Sequence, residues 1–262
     1  MPRRGGISWH TAQGWISLRR RDLNYNKVDV LVIMPHPDDA EFSCAGTVAR
    51  WVRECKSVAY VLLTSGDKGT SDRMLTSQQL AYIRQEEQRE AAQILGVCQV
   101  EYLCYPDQGL EDSPGLRRDI VRQIRRFCPD TVVTLDPYRR YVWHRDHRIA
   151  GQVVLDAVFP YARDHLAYPD LLAEGLEPHK VKEMYFAASE DANCLIDITD
   201  TFDLKIKALA CHRSQVGDRI QELSEWLKQR AQDAAEEEPF LLAEAFHYID
   251  MEMRGPYRKN DK

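Results

Sequence analysis

Residues 28–41 read VDVLVIMPHPDDAE, a short apolar run that ends at one histidine, two aspartates and a glutamate. The run is continuous rather than alternating and rich in β-branched residues, so Val30 to Met34 predict a strand buried on both faces. Pro35 and Pro37 stop that strand, and Phe42, Ala45, Ala49 and Val52 follow at helical spacing. A doubly buried strand leading straight into a helix belongs to a parallel sheet covered on both faces. Ionisable groups at its carboxyl end stand where open α/β sheets place their ligands.

The alternation continues along the chain. Ser57 to Thr64 predicts a second buried strand, followed by the polar loop SGDKGTSDRM. Ser77 to Leu95 predicts a helix capped by Thr76 or Ser77, with Leu80, Ile83, Ala91 and Leu95 as its buried stripe and Gly96 as its stop. Gln99 to Tyr105 reads as a third strand, Leu116 to Phe127 as an amphipathic helix and Thr131 to Leu135 as a fourth strand. A loop from Asp136 to His144 then leads into a helix over about 146–158. Beyond residue 160 the pattern loosens. Short strands are expected at 183–187 and 195–198, and helices at about 201–213 and 217–235, with EEEP at 236–239 as a solvated helix end before a turn. The predicted fold class is α/β: a Rossmann-like, mainly parallel sheet with helices on both faces and an active site at the carboxyl ends of the strands. Residues 1–26, with Trp9 and Trp15, read as an N-terminal extension, and 27–262 as one domain.

Composition narrows the function classes. The formal net charge of -6, with no long basic block, argues against nucleic acid as a partner. The arginines at 19–21 and 117–126 form short runs or are interrupted by acids and apolar residues, and read mostly as solvated surface. Seven cysteines without a CxxC pair fit free thiols in a reduced, cytoplasmic setting. No apolar stretch suits a signal peptide or a membrane span of about 20 residues, so no membrane partner is expected. The turn after the first strand, PHPDDAEFSCAG, lacks GxGxxG and would face a pyrophosphate with carboxylates, which disfavours a dinucleotide; a P-loop is absent too.

A second cluster, WHRDH at 143–147, again follows a strand and a loop. His144 and His147 are three apart, which puts both on one side of a helical turn. Two such clusters can converge at one sheet edge, and imidazole with carboxylate suits zinc or another divalent first-row metal. His36, Asp38, Asp39, His144, Asp146 and His147 are the candidate ligands. Read singly, each has a plainer role: Asp38 or Asp39 could cap the helix near Glu41, and Asp146 could cap or bond locally.

PHPDDAEF and HRDHRIAG resemble the two signature motifs of the LmbE/PIG-L superfamily of zinc-dependent N-acetylglucosaminyl de-N-acetylases. The similarity continues through LLTSGDKGT, IRQEEQREAAQILGV, YPDQGL and ALACHRSQV, over about residues 28 to 216. The stretch at 64–96 is closest in style to the diacetylchitobiose deacetylase-like branch. The resemblance implies that His36, Asp39 and His147 hold Zn2+, that Asp38 is the general base for a metal-activated water, and that His144 stabilises or protonates the reacting amide. It places Arg84, Asp107 and His212 at a small-molecule amino-sugar substrate, and it implies a homo-oligomer, commonly a trimer or hexamer. Plainer readings stand beside these. Arg84 could pair with Glu87 or Gln88 on a helix surface, Asp107 could orient His144 or form a turn, Glu41 could support the ligands or favour a helix N-terminus, and His212 with Gln215 could be a satisfied helix-face pair. The mycothiol-pathway branch carries a tyrosine where this chain has Val142, which puts a mycothiol-type substrate in doubt; Tyr141 or Trp143 could instead stack on a sugar or pack in the core. The rival functions are an amidase acting on a thiol conjugate or other secondary amide, and a carbohydrate- or metal-binding protein without turnover. The presence of Asp38 argues against the latter.

Overall fold

The computed structural model describes residues 27–141 and 143–252; the extension expected over 1–26 and the departure at Val142 lie outside the described residues. Seven strands, β1 (Val30–Met34), β2 (Val58–Thr64), β3 (Gln99–Tyr105), β4 (Thr131–Leu135), β5 (Glu183–Ala187), β6 (Cys194–Asp197) and β7 (Ala243–Asp250), form one sheet in the order β3-β2-β1-β4-β5-β7-β6. The first five are parallel, while β7 runs antiparallel to both β5 and β6. The mainly parallel α/β reading therefore holds. Every residue of β1, β2 and β4 is buried, as the unbroken apolar runs require.

The helices are α1 (Asp39–Ser43), α2 (Ala45–Arg53), α3 (Ser77–Leu95), α4 (Pro114–Phe127), α5 (Arg145–Val158), α6 (Pro169–Ala173), α7 (Phe202–Leu209), α8 (Arg213–Val216) and α9 (Ile220–Ala234). Successive strand residues point to opposite faces, and β1 divides accordingly. Leu31 and Ile33 pack with Leu116 and Ile120 of α4 and Val153 and Val154 of α5. Val30, Val32 and Met34 pack with Val48 and Trp51 of α2 and Ala91 and Leu95 of α3. Strands β1, β2 and β3 step one way across the sheet and β4 and β5 step the other, so the crevice at their carboxyl ends opens between β1 and β4. Both histidine-bearing loops leave the sheet at that point.

Local signals set most boundaries. Thr76 and Gln79 form a capping box at the start of α3, and Gly96 ends it at φ 78. Ser113 caps α4 two residues earlier than expected, with Pro114 in its first turn. Two departures are larger. The helix after β1 is two pieces broken at Cys44, and β7 was not anticipated, its Glu244 and His247 interrupting any apolar run. The two are physically linked. Glu244 of β7 accepts N–H bonds from Gly46 (3.1 Å) and Thr47 (2.8 Å), so its carboxylate meets the N-terminus of the restarted helix α2. The helix expected over 201–213 likewise stops at Leu209, and α8 ends at Gly217, whose φ is 51.

Lys205 completes the Glu244 arrangement, donating to Glu244 Oε1 at 2.6 Å and to the Phe42 carbonyl at 2.9 Å. Both side chains are at most 6% exposed. Lys205→Met would strand a buried carboxylate, and we expect it to destabilise the fold by about 3–5 kcal/mol. Urea unfolding measures this, and a loss under about 1 kcal/mol would mean that the pair is solvated or dispensable.

Candidate active site

The loop after β1 turns at Asp38, which takes a left-handed φ of 92, an uncommon conformation for a residue with a side chain. Asp38 makes no helix-capping bond, so its plainer reading as a cap does not describe it. Its N–H donates to Gln88 Oε1 at 3.1 Å, and its carboxylate lies 3.3 Å from Arg84 Nη2. Asp39 folds back instead: Oδ2 accepts the His36 N–H at 2.9 Å and lies 3.1 Å from His36 Nδ1, while Oδ1 lies 3.1 Å from His147 Nε2. The left-handed turn thus separates the two neighbouring carboxylates.

From the loop after β4, His144 and His147 enter the same crevice at the start of α5. The rings of His36, His144 and His147 lie 4.8–5.3 Å apart by centroid. His144 Nδ1 accepts the Asp146 N–H at 3.1 Å. The neutral imidazole therefore carries its proton on Nε2 as a free donor. Burial lowers the His144 pKa, and neighbouring His36 and His147 add to that.

His36 is flanked on both sides. Its Nε2 lies 3.1 Å from Asp107 Oδ1 and 3.3 Å from Asp146 Oδ2. Burial opposes its protonation, but the carboxylates of Asp107, Asp146 and Asp39 outweigh that and push it up to about 11. Asp146 is fully buried and also accepts the N–H groups of Gln108 (2.6 Å) and Leu110 (3.3 Å), which ties the 106–110 loop to this centre. Burial pushes Asp38 up to about 6 despite Arg84, with Asp39 adding to the rise; burial would raise Asp39 too, but His147 and His36 pull it far below the usual carboxylate range.

The donor set fits a divalent cation. Without a metal, a protonated His36 donates through Nδ1 to Asp39 Oδ2 at 3.1 Å and through Nε2 to Asp146 Oδ2 at 3.3 Å; a divalent cation could replace the Nδ1 proton, with His36 Nδ1 and Asp39 Oδ2 as its ligands. His147 Nε2 faces Asp39 Oδ1 at the same distance, and His147 Nδ1 has no hydrogen-bond partner. Ligand atoms on one tetrahedral zinc are spaced by about 3.3 Å, close to these contacts. Two triads have one donor atom from each residue within 4.8 Å of the others, His36, His144 and His147, and His36, Asp107 and Asp146; Asp39 belongs to neither and instead touches His36 and His147 through different oxygens.

Other expected residues take places that the sequence left open. Arg84 is buried rather than on a helix surface, and its guanidinium donates to the carbonyls of Pro37 (2.5 Å), Gly66 (3.2 Å) and Lys68 (3.4 Å). It lines the cavity over the histidines, together with Asp107, Lys68, Gly69 and Gln108. Asp107 meets His36 rather than orienting His144, and burial is outweighed by His36 to hold it down at about 2. His212, expected at the substrate, is fully buried and does not line that cavity. Its Nε2 lies 3.2 Å from Glu41 Oε2, and Glu41 Oε1 accepts from Gln88 Nε2 at 3.0 Å. Burial opposes charge on His212, and Glu41 raises its pKa in spite of it. Gln88, expected only as a helix-surface contact of Arg84, instead reaches the Asp38 N–H and Glu41 from its place one turn beyond Arg84 on α3. Trp143 packs edge-on against His147 at 4.6 Å and donates to the Asp136 carbonyl at 3.1 Å, whereas Tyr141 is 91% exposed.

Gly66 has φ +60, and a Cβ there would collide with the Arg84 guanidinium. Gly66→Ala is expected to cost on the order of 1–3 kcal/mol and to dislodge Arg84 from Asp38. Urea unfolding with parallel kinetics tests this; unchanged values in both would refute the packing argument.

Residues 31–158 match the protein family described as GlcNAc-PI de-N-acetylase (PIG-L). The chain is 34% identical over 222 residues to the diacetylchitobiose deacetylase of Thermococcus kodakarensis, covering 85% of this chain and 78% of that protein. It is 29% identical over 209 residues to the probable N-acetyl-alpha-D-glucosaminyl L-malate deacetylase 2 of Bacillus anthracis, covering 76% of this chain and 86% of the relative. The solved structure of N,N'-diacetylchitobiose deacetylase from Pyrococcus horikoshii, complexed with its inhibitor MPG, is similar with a TM-score of 0.82 and 30% identity, over 97% of this chain and 98% of that one.

Proposed function

The chain belongs to the PIG-L (LmbE) family of de-N-acetylases, and on that premise we propose that it is a zinc-type metal-dependent hydrolase that removes acetyl from an N-acetylglucosamine-type substrate. The observation that supports the reading is that Asp39 bridges the two histidine loops, with Oδ2 3.1 Å from His36 Nδ1 and Oδ1 3.1 Å from His147 Nε2. These three residues would hold the ion. Asp146 would accept the other His36 N–H and fix its tautomer, with the Asp107 carboxylate 3.1 Å away adding negative charge. A divalent ion at such a site lowers the pKa of a water ligand from 15.7 towards about 7 and polarises a carbonyl oxygen.

The chain's own groups divide the remaining work. Asp38, turned away from Asp39 and beside Arg84, takes the proton of the attacking water. His144 Nε2–H donates to the amide carbonyl oxygen as charge develops there. The proton returns to the nitrogen as the C–N bond breaks, and acetate and a free amine leave. Arg84, whose Nη groups are engaged by Pro37, Gly66 and Lys68, positions the loop that carries Asp38. Gln88, Glu41 and His212 form a buried line behind the Asp38 backbone. All seven cysteines are free, in keeping with a reduced, cytoplasmic setting. Among the described residues, no helix is long and apolar enough to cross a membrane.

The test is a panel of N-acetylated sugars (monosaccharide, chitobiose, inositol- and malate-linked forms) assayed for acetate and amine after metal loading. Release from at least one member is expected, and silence across the panel would shift the reading to another amide or to a binder.

A further inference from the structure

A second cavity of about 330 Å³ adjoins the first. Its size falls within the range of small-molecule pockets, about 300–1,000 Å³. The two share Asp39, Phe42 and His147, so the cavity reaches the candidate metal ligands from another side. Its lining is more apolar than polar: Leu135, Trp143, Ile198, Leu227, Ala231 and Ala234 stand beside Ser43 and Ser189. Towards solvent stand Arg139, 4.5 Å over the Trp143 ring, and Arg230, 4.9 Å over the Trp226 ring. Its buried ions are already matched, since Lys205 pairs with Glu244. Nothing established for the site above explains an apolar chamber beside two metal ligands.

The distribution of the catalytic groups indicates what enters it. Asp38, His144, Arg84 and Asp107 line the first cavity and not the second. The attacking water and the departing amine both need the proton-transfer groups, so the amine and its polar sugar belong in the first cavity. On a planar amide the acyl substituent and the nitrogen lie on different sides of the carbonyl carbon. With the nitrogen facing Asp38 and the carbonyl oxygen facing His144, the third substituent of the carbonyl carbon, the acyl chain, is left to extend past Asp39 and His147, the residues that the two cavities share. Resting on the deacetylase reading, we propose that this second cavity is an acyl pocket and that the enzyme hydrolyses N-acyl amines whose acyl group is an unbranched apolar chain of about four to eight carbons. The reaction balances as for acetyl: water adds its oxygen to the carbonyl carbon, the C–N bond breaks, and both water protons end on the nitrogen, giving a carboxylate and an ammonium group.

The experiment uses the metal-loaded full chain and glucosamines N-acylated with acetyl, butanoyl, hexanoyl or octanoyl groups. We expect kcat/KM for hexanoyl to equal or exceed that for acetyl. In the same assay the carboxylate products should inhibit more tightly as they lengthen, by about fourfold per added methylene up to the length the cavity holds. Filling the chamber from the half-buried position Ala234→Phe should lower hexanoyl turnover at least tenfold while acetyl turnover stays within twofold. Ala231→Leu is a milder second variant with the same expected direction. Acetyl turnover with a hundredfold fall at butanoyl and hexanoate inhibition no tighter than that of acetate would overturn the acyl pocket and leave the deacetylase reading standing. Loss of acetyl and hexanoyl turnover together in both variants, with folding intact, would also overturn it. Absence of turnover for every member would overturn the deacetylase reading on this sugar and the acyl pocket with it.

Discussion

Asp38→Asn is expected to keep the bound metal and to lower kcat by about 10²–10⁴. Asparagine is nearly isosteric with aspartate and tolerates the left-handed φ of 92 that the turn imposes. The backbone bond from residue 38 to Gln88 Oε1 does not depend on the side chain, so the loop should keep its shape. What is lost is the basic oxygen beside Arg84 and, with it, the acceptor for the water proton. Asp39, on the other side of the turn, cannot substitute, because both of its oxygens face His36 and His147. Metal content by elemental analysis and kcat on an acetylated amino sugar decide the matter together. Metal retained with kcat within threefold of the parent would remove Asp38 from the proton-transfer step, and metal lost along with activity would recast it as a ligand.

The separation of the two aspartates shows what the sequence could and could not reveal. Five apolar residues in a row told that β1 is buried on both faces, and the proline stops told where it ends. The alternation through β4 put both histidine loops at strand carboxyl ends, where they could converge; that they meet between β1 and β4 follows from the strand order, which is not local. The other signals required no long-range information, because each is a local pattern of burial or backbone restriction. β7 is different. It lies between β5 and β6, so its burial comes from neighbours that are remote in sequence, and Glu244 sits within it only because Lys205 and the N-terminus of α2 neutralise the carboxylate. A charged residue that is buried for tertiary reasons reads locally as a turn.

The same division runs through the site. His36, Asp39, His144 and His147 were visible as donors of the right chemistry at two strand ends. The partners that aim them were not. Asp107 is 71 positions from His36, and Asp146 is 110 positions away, yet they share its Nε2. His212 meets Glu41 across 171 positions, in the buried layer behind the Asp38 turn. Arg84 has a legible helical position, but the carbonyls of Pro37, Gly66 and Lys68 that fix its direction depend on how two loops fold over it.

His147→Ala should reduce stoichiometric metal to background and abolish turnover, whereas His144→Ala should retain the metal and still lose most activity. The contrast follows from where each ring is directed. His147 Nε2 meets Asp39 Oδ1 at 3.1 Å, and Asp39 Oδ2 meets His36 Nδ1 at 3.1 Å, and the proposed reading has one ion held by these three residues. Removing one of three protein ligands from a zinc site leaves two, too few for a closed set with water. His144 is held by its Nδ1 as the acceptor of the Asp146 N–H, which leaves a proton on Nε2 and no lone pair there for a metal. Asp107→Asn provides the third arm. It retains the shape around His36 but weakens the charge that holds the Nε2 proton, and metal affinity should fall about 10–100-fold without being abolished. Competition against a chelator of known affinity ranks the three variants on one scale. A ranking in which His144→Ala loses metal as completely as His147→Ala would move the ion to the three-imidazole triad. Loss in Asp107→Asn alone would move it to the carboxylate side of His36.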